Sequence, residues 1–127
     1  MVAWNTGSVA NEIQTIVEDI PSYISGAPLE NIADRKREFV QTYTGETIAA
    51  GNIPSKYQSP ILLLAMAETL SLMGLKGADV ASFSLGDLSV NKGQGGNLQA
   101  SSEMFERRAM EELQKVGRKV NFYKALG

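Results

Sequence analysis

Residues 61–74 read ILLLAMAETLSLMG, a segment that is apolar on almost every side when it is drawn as a helix. A helix on a protein surface carries one apolar stripe, whereas a helix that is apolar all round is buried. Ser59 and Pro60 precede the segment as a capping hydroxyl and a favoured first helical residue, and Gly74 is suited to end it. The stretch therefore predicts the central helix of a small bundle, beginning near Ser59.

Three more helices are predicted around this one, because apolar residues recur every three or four positions in each. Their predicted limits are Thr6 or Ser8 to Pro21, Pro28 to Gly45, and Asn97 to Val116. Residues 46–58 mix glycine, proline and isolated apolar residues, which predicts a loop pinned by Ile48 and Ile53. Phe39 belongs to the predicted apolar stripe of the second helix. The fold class is therefore mainly α, a small bundle of about four helices.

The chain of 127 residues suits one domain with one modest core. It contains neither cysteine nor histidine, so it offers no disulfide, no thiolate nucleophile, no imidazole base and no ordinary set of transition-metal ligands. The carboxylate pairs Glu18–Asp19 and Glu111–Glu112 are adjacent in sequence, and adjacent helical positions point in different directions. We therefore expect no enzyme, no catalytic residue, no cofactor and no metal.

The start of the chain lacks the charged and apolar regions of a signal peptide. The longest uninterrupted apolar run, Ile61 to Ala67, is far shorter than the roughly 18 to 20 residues that span a bilayer. The expectation is a soluble intracellular chain with no membrane partner. The net charge of -2 also lowers the expectation of a protein that reads duplex DNA, since such proteins usually carry a basic excess.

Residues 83–96, FSLGDLSVNKGQGG, interrupt the helical pattern. Gly86 and Asp87 suit the two-residue loop of a β-hairpin, since glycine at the first loop position favours a type II′ turn. The apolar residues that share one face of this hairpin are Phe83, Leu85, Leu88 and Val90. A lone two-stranded hairpin is marginal in water. Its apolar face is therefore expected to pack either on the chain's own helices or, as a projecting arm, on a neighbouring copy.

The glycine-rich segment 92–97, KGQGGN, has some likeness to a phosphate-binding loop. A P-loop ends in Gly-Lys followed by Ser or Thr, whereas here Lys92 precedes the glycines. A flexible leash between the hairpin and the last helix is the favoured interpretation.

The segment KVNFYKALG, residues 119–127, follows the predicted end of the last helix and still contains apolar and aromatic residues. Because chain ends that stay in solvent are usually polar, this composition predicts docking, either back on the bundle or on a partner. Phe122 and Tyr123 among lysines could also stack on single-stranded bases. Residues 115–127 carry four basic residues and no acid, whereas residues 1–34 carry five acids and no base.

Four segments of this sequence together resemble the head-to-tail connector, or adaptor, proteins of tailed bacteriophages. They are TGETI at 44–48, IPSKYQSPILLLAMA at 53–67, SLGDLSVNKG at 84–93 and LQKVGRKVNFYKALG at 113–127. The similarity covers most of residues 28–127 and depends on the order and spacing of the segments more than on one diagnostic motif.

The resemblance implies a virion protein of the neck, assembled in the host cytoplasm as a ring of about twelve copies. Such a ring sits beneath the portal protein, extends the channel through which DNA passes without sequence-specific binding, and is a platform for the next neck or tail protein. The inter-subunit arm that it implies comprises Phe83, Leu85, Gly86, Asp87, Leu88 and Val90. The portal-docking tail that it implies comprises Arg118, Lys119, Val120, Asn121, Phe122, Tyr123, Lys124 and Leu126.

The predicted organisation is a single domain over residues 1–127. Its predicted parts are a helical bundle at 6–76 and 97–117, a hairpin arm at 82–91, a leash at 92–97 and an extended C-terminal tail at 118–127. An alternative function is a small helical regulator that binds nucleic acid through the basic residues of its last helix. Those residues are Arg107, Arg108, Lys115, Arg118 and Lys119. Four glutamates on the same helix would repel phosphates and weigh against it.

Overall fold

Four helices make up most of the residues that the computed structural model describes, namely 4–17, 20–75, 83–85, 88–90 and 98–116. The helices are α1 (Thr6–Ile16), α2 (Ala27–Thr44), α3 (Ser55–Leu75) and α4 (Leu98–Val116). Two short strands, β1 (Phe83–Leu85) and β2 (Leu88–Val90), lie between α3 and α4 in the chain. The prediction of a mainly α protein with about four helices is confirmed.

The central helix predicted from residues 61–74 is α3, which packs against α1, α2 and α4. Its side chains are buried on most sides, as the lack of a single apolar stripe indicated. The closest packing is with α4, where Ser102 Oγ donates to the Ala67 carbonyl at 2.6 Å. At the other end of this contact, a Cβ atom placed on Gly74 would lie 3.1 Å from Leu98 Cβ. The small residue at position 74 thus lets the two helices approach closely.

The start of α3 was predicted near Ser59, but the helix begins four residues earlier, at Ser55. Pro60 therefore lies inside the helix instead of at its first position. The Tyr57 N–H donates to the Pro54 carbonyl at 3.0 Å, and the Tyr57 side chain is fully buried. Burial of this large ring stabilises an additional helical turn that the capping signal at 59–60 did not indicate.

The loop before α3 is held by buried apolar residues, as predicted. Ile48 and Ile53 are both buried, and the α2 helix before the loop ends at Gly45. Gly45 has a φ of 76°, in the left-handed region that favours glycine, and its N–H donates to the Gln41 carbonyl at 2.9 Å. The predicted end of the second helix is confirmed at this residue.

The first helix is shorter than predicted, since α1 ends at Ile16 and not near Pro21. Its start is fixed by reciprocal capping: the Asn5 side chain accepts from the Ser8 N–H at 2.9 Å, and Ser8 Oγ accepts from the Asn5 N–H at 3.1 Å. Val17 follows the helix in an extended conformation and is fully buried. Burial of Val17 in extended chain thus accounts for its place in the apolar pattern without a longer helix.

The β1 and β2 strands pair antiparallel, with Phe83 opposite Val90 and Leu85 opposite Leu88. Leu88 and Val90 are buried among the core residues of the same chain, and Leu85 is partly buried. The predicted turn residues, 86 and 87, lie outside the described residues, so the projecting hairpin stays a prediction. The predicted leash at 92–97 and tail at 118–127 also lie outside them.

By length and composition alone, α3 is long and apolar enough to cross a membrane. Most of this segment is buried inside the chain by the other elements, and the core helix of a soluble protein passes the same test. Its apolar character is accounted for by its central position in the bundle.

Candidate functional site

Two of the segments that carry the connector resemblance meet in a polar cluster of Glu46, Lys56 and Tyr57. Glu46 lies in TGETI, just after α2, and the other two residues lie in the first turn of α3. The Tyr57 hydroxyl donates to Glu46 Oε1, and Lys56 Nζ lies 3.2 Å from the same oxygen. Lys56 Nζ is also 5.0 Å from the centre of the Tyr57 ring, within cation–π range. The cluster ties the end of α2 to the beginning of α3.

The pKa values of two residues in this cluster are raised. Burial of the Tyr57 ring, followed by the hydrogen bond to Glu46, raises the pKa of its hydroxyl above the usual 10.0. The hydrogen bond to Glu46 is the largest cause that raises the pKa of Lys56 above 10.5. Both groups therefore keep their protons at neutral pH, so the cluster combines an ion pair with a hydrogen bond.

The backbone of the same loop is fixed by side chains of α2. Arg37 Nη1 donates to the Ile48 carbonyl at 2.7 Å, and the Ile48 N–H donates to Gln41 Oε1 at 2.9 Å. Arg37 is itself paired with Asp34 at 2.9 Å. These contacts satisfy loop groups that no regular secondary structure pairs. The cluster and the loop are thus a structural clamp between two helices.

Replacing Tyr57 by phenylalanine is expected to lower the free energy of unfolding by about 1 kcal/mol at neutral pH, because one partly buried hydrogen bond is lost. Since the folded state raises the pKa of Tyr57, this group's contribution is present below pH ~10 and is lost as the pH rises through the folded value. Urea unfolding at several pH values should therefore show that the free energy of unfolding falls less steeply at alkaline pH for Tyr57→Phe than for the wild type. Tyr43→Phe is the matched control, and an equal effect there would contradict the assignment.

Large apolar side chains are exposed on several sides of the bundle. They are Tyr23, Phe39, Leu75 and Val116. Phe39, which was expected in the buried stripe of α2, is 44% exposed and stacks on Tyr43 with ring centres 6.2 Å apart. The α2 helix buries Leu29, Ile32 and Val40 instead, so Phe39 lies at the edge of its apolar face. Large apolar residues exposed singly in this way are common on protein surfaces and do not by themselves mark an interaction site.

A groove of about 470 Å³ lies between the first half of α2, the turn before it and the second half of α3. Its apolar lining includes Tyr23, Pro28, Ile32 and Leu72. Arg35 also lines the groove, and its guanidinium pairs with Glu68 of α3. The volume falls within the range of about 300–1,000 Å³ that is typical of ligand pockets. No local sequence pattern indicates this groove, because it forms only when residues about forty positions apart come together.

The residues predicted to form the inter-subunit arm are only partly described. Leu88 and Val90 are buried within this chain, which matches the alternative that the apolar face packs on the chain's own elements. Leu85 keeps some exposed surface. The Phe83 side chain, Gly86 and Asp87 lie outside the described part, as do all the predicted tail residues from Arg118 to Leu126.

The basic residues of α4 that the alternative function requires are interspersed with acids. Arg107 and Arg108 line a small surface pocket together with Glu111. Arg108 Nε lies 3.5 Å from Glu111 Oε1, so part of this positive charge is neutralised. Among the described residues, no group of three acidic, cysteine or histidine side chains could hold a metal ion.

Comparison of the chain with protein-family models, with curated proteins and with solved structures gave no match.

Proposed function

We propose that this chain is a head-to-tail connector protein of a tailed bacteriophage. It forms a ring beneath the portal protein, extends the DNA channel and offers a platform for the next neck or tail protein. The proposal rests on the order and spacing of the four resembling segments along a small helical chain. Support comes from the Glu46–Lys56–Tyr57 cluster, where two of those segments are in direct contact. The ring acts in the virion neck after assembly in the host cytoplasm, without a membrane partner or cofactor.

The arm of this ring is proposed to be the segment around β1 and β2. Because Leu88 and Val90 are buried in their own chain, the contact to a neighbour is assigned to the β1 side, at Phe83 and Leu85. Leu85 packs against the core but is partly exposed, and among the described strands β1 pairs only with β2, so its other edge is proposed to pair with another chain. Gly86 and Asp87 are proposed as the turn that joins the two strands.

The double substitution Phe83→Ser with Leu85→Ser is expected to leave the helical circular dichroism signal unchanged and to abolish ring formation. Negative-stain microscopy of the chain mixed with portal protein measures the rings directly. Leu75→Ser is the matched control, because it removes an apolar side chain that is 75% exposed outside the arm. Rings formed by the double variant, or rings lost only in the control, would show that the arm lies elsewhere.

The tail from Arg118 to Leu126 is proposed to dock on the portal, using its apolar residues and its excess of positive charge. Deleting residues 119–127 is expected to preserve the helical signal and to abolish co-sedimentation with the portal. The basic residues contribute to the encounter, so binding of the intact chain should also weaken as salt rises. Retained co-sedimentation of the deletion variant would exclude the tail as the portal contact.

A nucleic-acid-binding regulator is the competing function, and titration of the chain with duplex DNA tests it. A regulator would bind with micromolar affinity that falls steeply with salt, since each phosphate contact releases counterions. The pairing of Arg108 with Glu111 reduces the charge available for such contacts. We expect no binding by the free chain.

A further inference from the structure

Two cavities lie in line along the seam between α2 and α3. The groove of about 470 Å³ is lined by Leu72 of α3, and a pocket of about 100 Å³ is lined by Leu64 of the same helix. Leu64, Glu68 and Leu72 share one face of α3, because each lies four residues from the next. We call this line of three residues, with the α2 residues beside it, the α2–α3 track. It is about 12 Å long.

Each cavity of the track offers apolar surface that a partner's side chain can cover. Ile32 and Leu72 line the groove, where Tyr23 is exposed at the edge. Phe39, which is exposed, lines the pocket together with Leu64. Two apolar cavities about two helical turns apart match two apolar side chains at that spacing on an approaching helix. Such paired anchors are the pattern by which a groove recognises an amphipathic helix.

The charges between the two cavities favour an acidic group on the occupant. Arg35 and Lys36 both pair with Glu68, one with each of its carboxylate oxygens. Two cations thus share one carboxylate, and one positive charge is in excess. Among the described residues, Arg35 is the only charged one that lines the groove, and its side chain is 57% exposed. A guanidinium has five N–H donors in a planar fork, so Arg35 can accept a second carboxylate beside Glu68.

The nearby acids leave this excess on the α2 side of the track. Asp34 pairs with Arg37 at 2.9 Å and so is already occupied by another cation. Glu106 lines the pocket from α4, whereas Lys36 and Phe39 line it from α2. An acid on the occupant would therefore be attracted to α2, at Arg35, and repelled from α4. This asymmetry fixes which flank of a bound helix faces α2.

A second copy of this chain does not supply such a helix from the part that the structure describes. None of the four described helices carries two exposed apolar residues on either side of an acid. In α1, Val9 lies one turn before Glu12 but is buried. In α4, Ala109 lies one turn before Glu112 and is buried as well. The occupant is therefore assigned to another protein.

We propose that the α2–α3 track binds an amphipathic helix of another protein. Two apolar side chains of that helix, about two turns apart, enter the groove and the pocket, and an acidic side chain between them pairs with Arg35. Lys36 keeps its contact with Glu68 while Arg35 takes the new carboxylate. The inference does not depend on the connector function, because the contact needs neither a ring nor a portal.

A synthetic helix tests the chemistry of the track on the full-length protein. The probe is a lactam-bridged, fluorescently labelled peptide of about four turns, with two leucines about two turns apart and one glutamate midway between them. Two further peptides carry glutamine or lysine in place of the glutamate. Fluorescence anisotropy should show saturable binding that weakens in the order glutamate, glutamine, lysine. The first and last should differ about tenfold at low salt and less as salt rises.

Reversing the charge at position 35 should reverse this order. For Arg35→Glu, the lysine peptide should bind most tightly and the glutamate peptide least tightly. Arg107→Glu is the matched control, because it makes the same change of charge on α4, at a residue that lines a pocket beside β2. The control should keep the order of the wild type. Binding of none of the peptides, an unchanged order in Arg35→Glu, or a reversal in both variants would overturn the proposal.

Two measurements on the wild type keep the test decisive if a variant folds poorly. In NMR spectra of the ¹⁵N-labelled chain, the glutamate peptide should shift the amide resonances of Tyr23, Asn31 and Phe39, and not those of α1. Shifts confined to other surfaces would overturn the assignment of the track. Sedimentation of the chain alone should show no self-association that the glutamate peptide competes away. Such competition would assign the track to a second copy and would contradict a separate partner.

Discussion

Replacing Phe105 by alanine is expected to lower the free energy of unfolding by about 3–5 kcal/mol. Phe105 is among the largest fully buried side chains and projects from the middle of α4, the helix that packs most extensively on α3. Truncation removes the apolar area of the ring from the core and leaves a cavity that two closely packed helices cannot fill. Since domains of this size are stable by only about 5–15 kcal/mol, the loss is a large part of the total.

Phe39→Ala is the matched control, because it removes the same side chain from a position that is 44% exposed on α2. The expected loss there is about 1 kcal/mol or less, arising from the stacking contact with Tyr43 and the area that the ring covers. Urea unfolding followed by circular dichroism measures both variants. Equal losses of stability at positions 39 and 105 would contradict the conclusion that Phe105 of α4 lies in the core whereas Phe39 lies on the outer face of α2.

These two phenylalanines illustrate how much of the fold the sequence determines. Periodicity placed both on apolar stripes, and it was right for Phe105, whose neighbours one turn away are also buried. It was wrong for Phe39, because the α2 stripe is wider than the surface that α1 and α3 cover. Which part of a wide stripe is buried depends on the positions of the other helices, and one segment of sequence does not contain that information.

Some helix ends could be predicted from the local sequence, whereas other helix ends and the candidate surfaces depend on tertiary contacts. Gly45 was predictable because a left-handed conformation strongly favours glycine, whereas the start of α3 at Ser55 depends on burial of Tyr57, a tertiary effect. The Tyr57–Glu46 contact has no sequence signature beyond its inclusion in two resembling segments. The groove joins the turn before α2 to the end of α3, so its existence could not be derived from local patterns.

The second large effect is expected at Val90, which is 1% exposed in β2. Val90→Asp places an unpaired carboxylate among apolar core residues and should lower the free energy of unfolding by about 3–5 kcal/mol at neutral pH. Val90→Asn is the matched control, since asparagine has nearly the same shape as aspartate but carries no charge. Its expected cost is about 1–3 kcal/mol, from burial of an amide alone.

The pH dependence separates the charge from the shape at this position. Burial raises the pKa of the introduced carboxyl in the folded state above its value of about 3.9 in the unfolded chain. The folded state therefore binds the proton more tightly, and the Asp variant loses stability as the pH rises through the folded pKa. The difference between the Asp and Asn variants should consequently be largest near neutral pH and should shrink toward pH ~4. The pH dependence that other carboxyl groups contribute does not affect this difference, because both variants contain the same groups.

The same pair of variants decides where the apolar face of β1 and β2 lies before assembly. If the face is part of the core of the free chain, stability falls in the order valine, asparagine, aspartate, and ring formation fails together with folding. If the strands open locally at little cost, both variants keep the stability of the wild type, since a local opening limits the effect of any substitution within it. If the variants keep the stability of the wild type but no longer form rings, Val90 would be assigned to the contact with a neighbouring copy, together with Phe83 and Leu85. Because Val90 is almost fully buried in the single chain, we expect the first result.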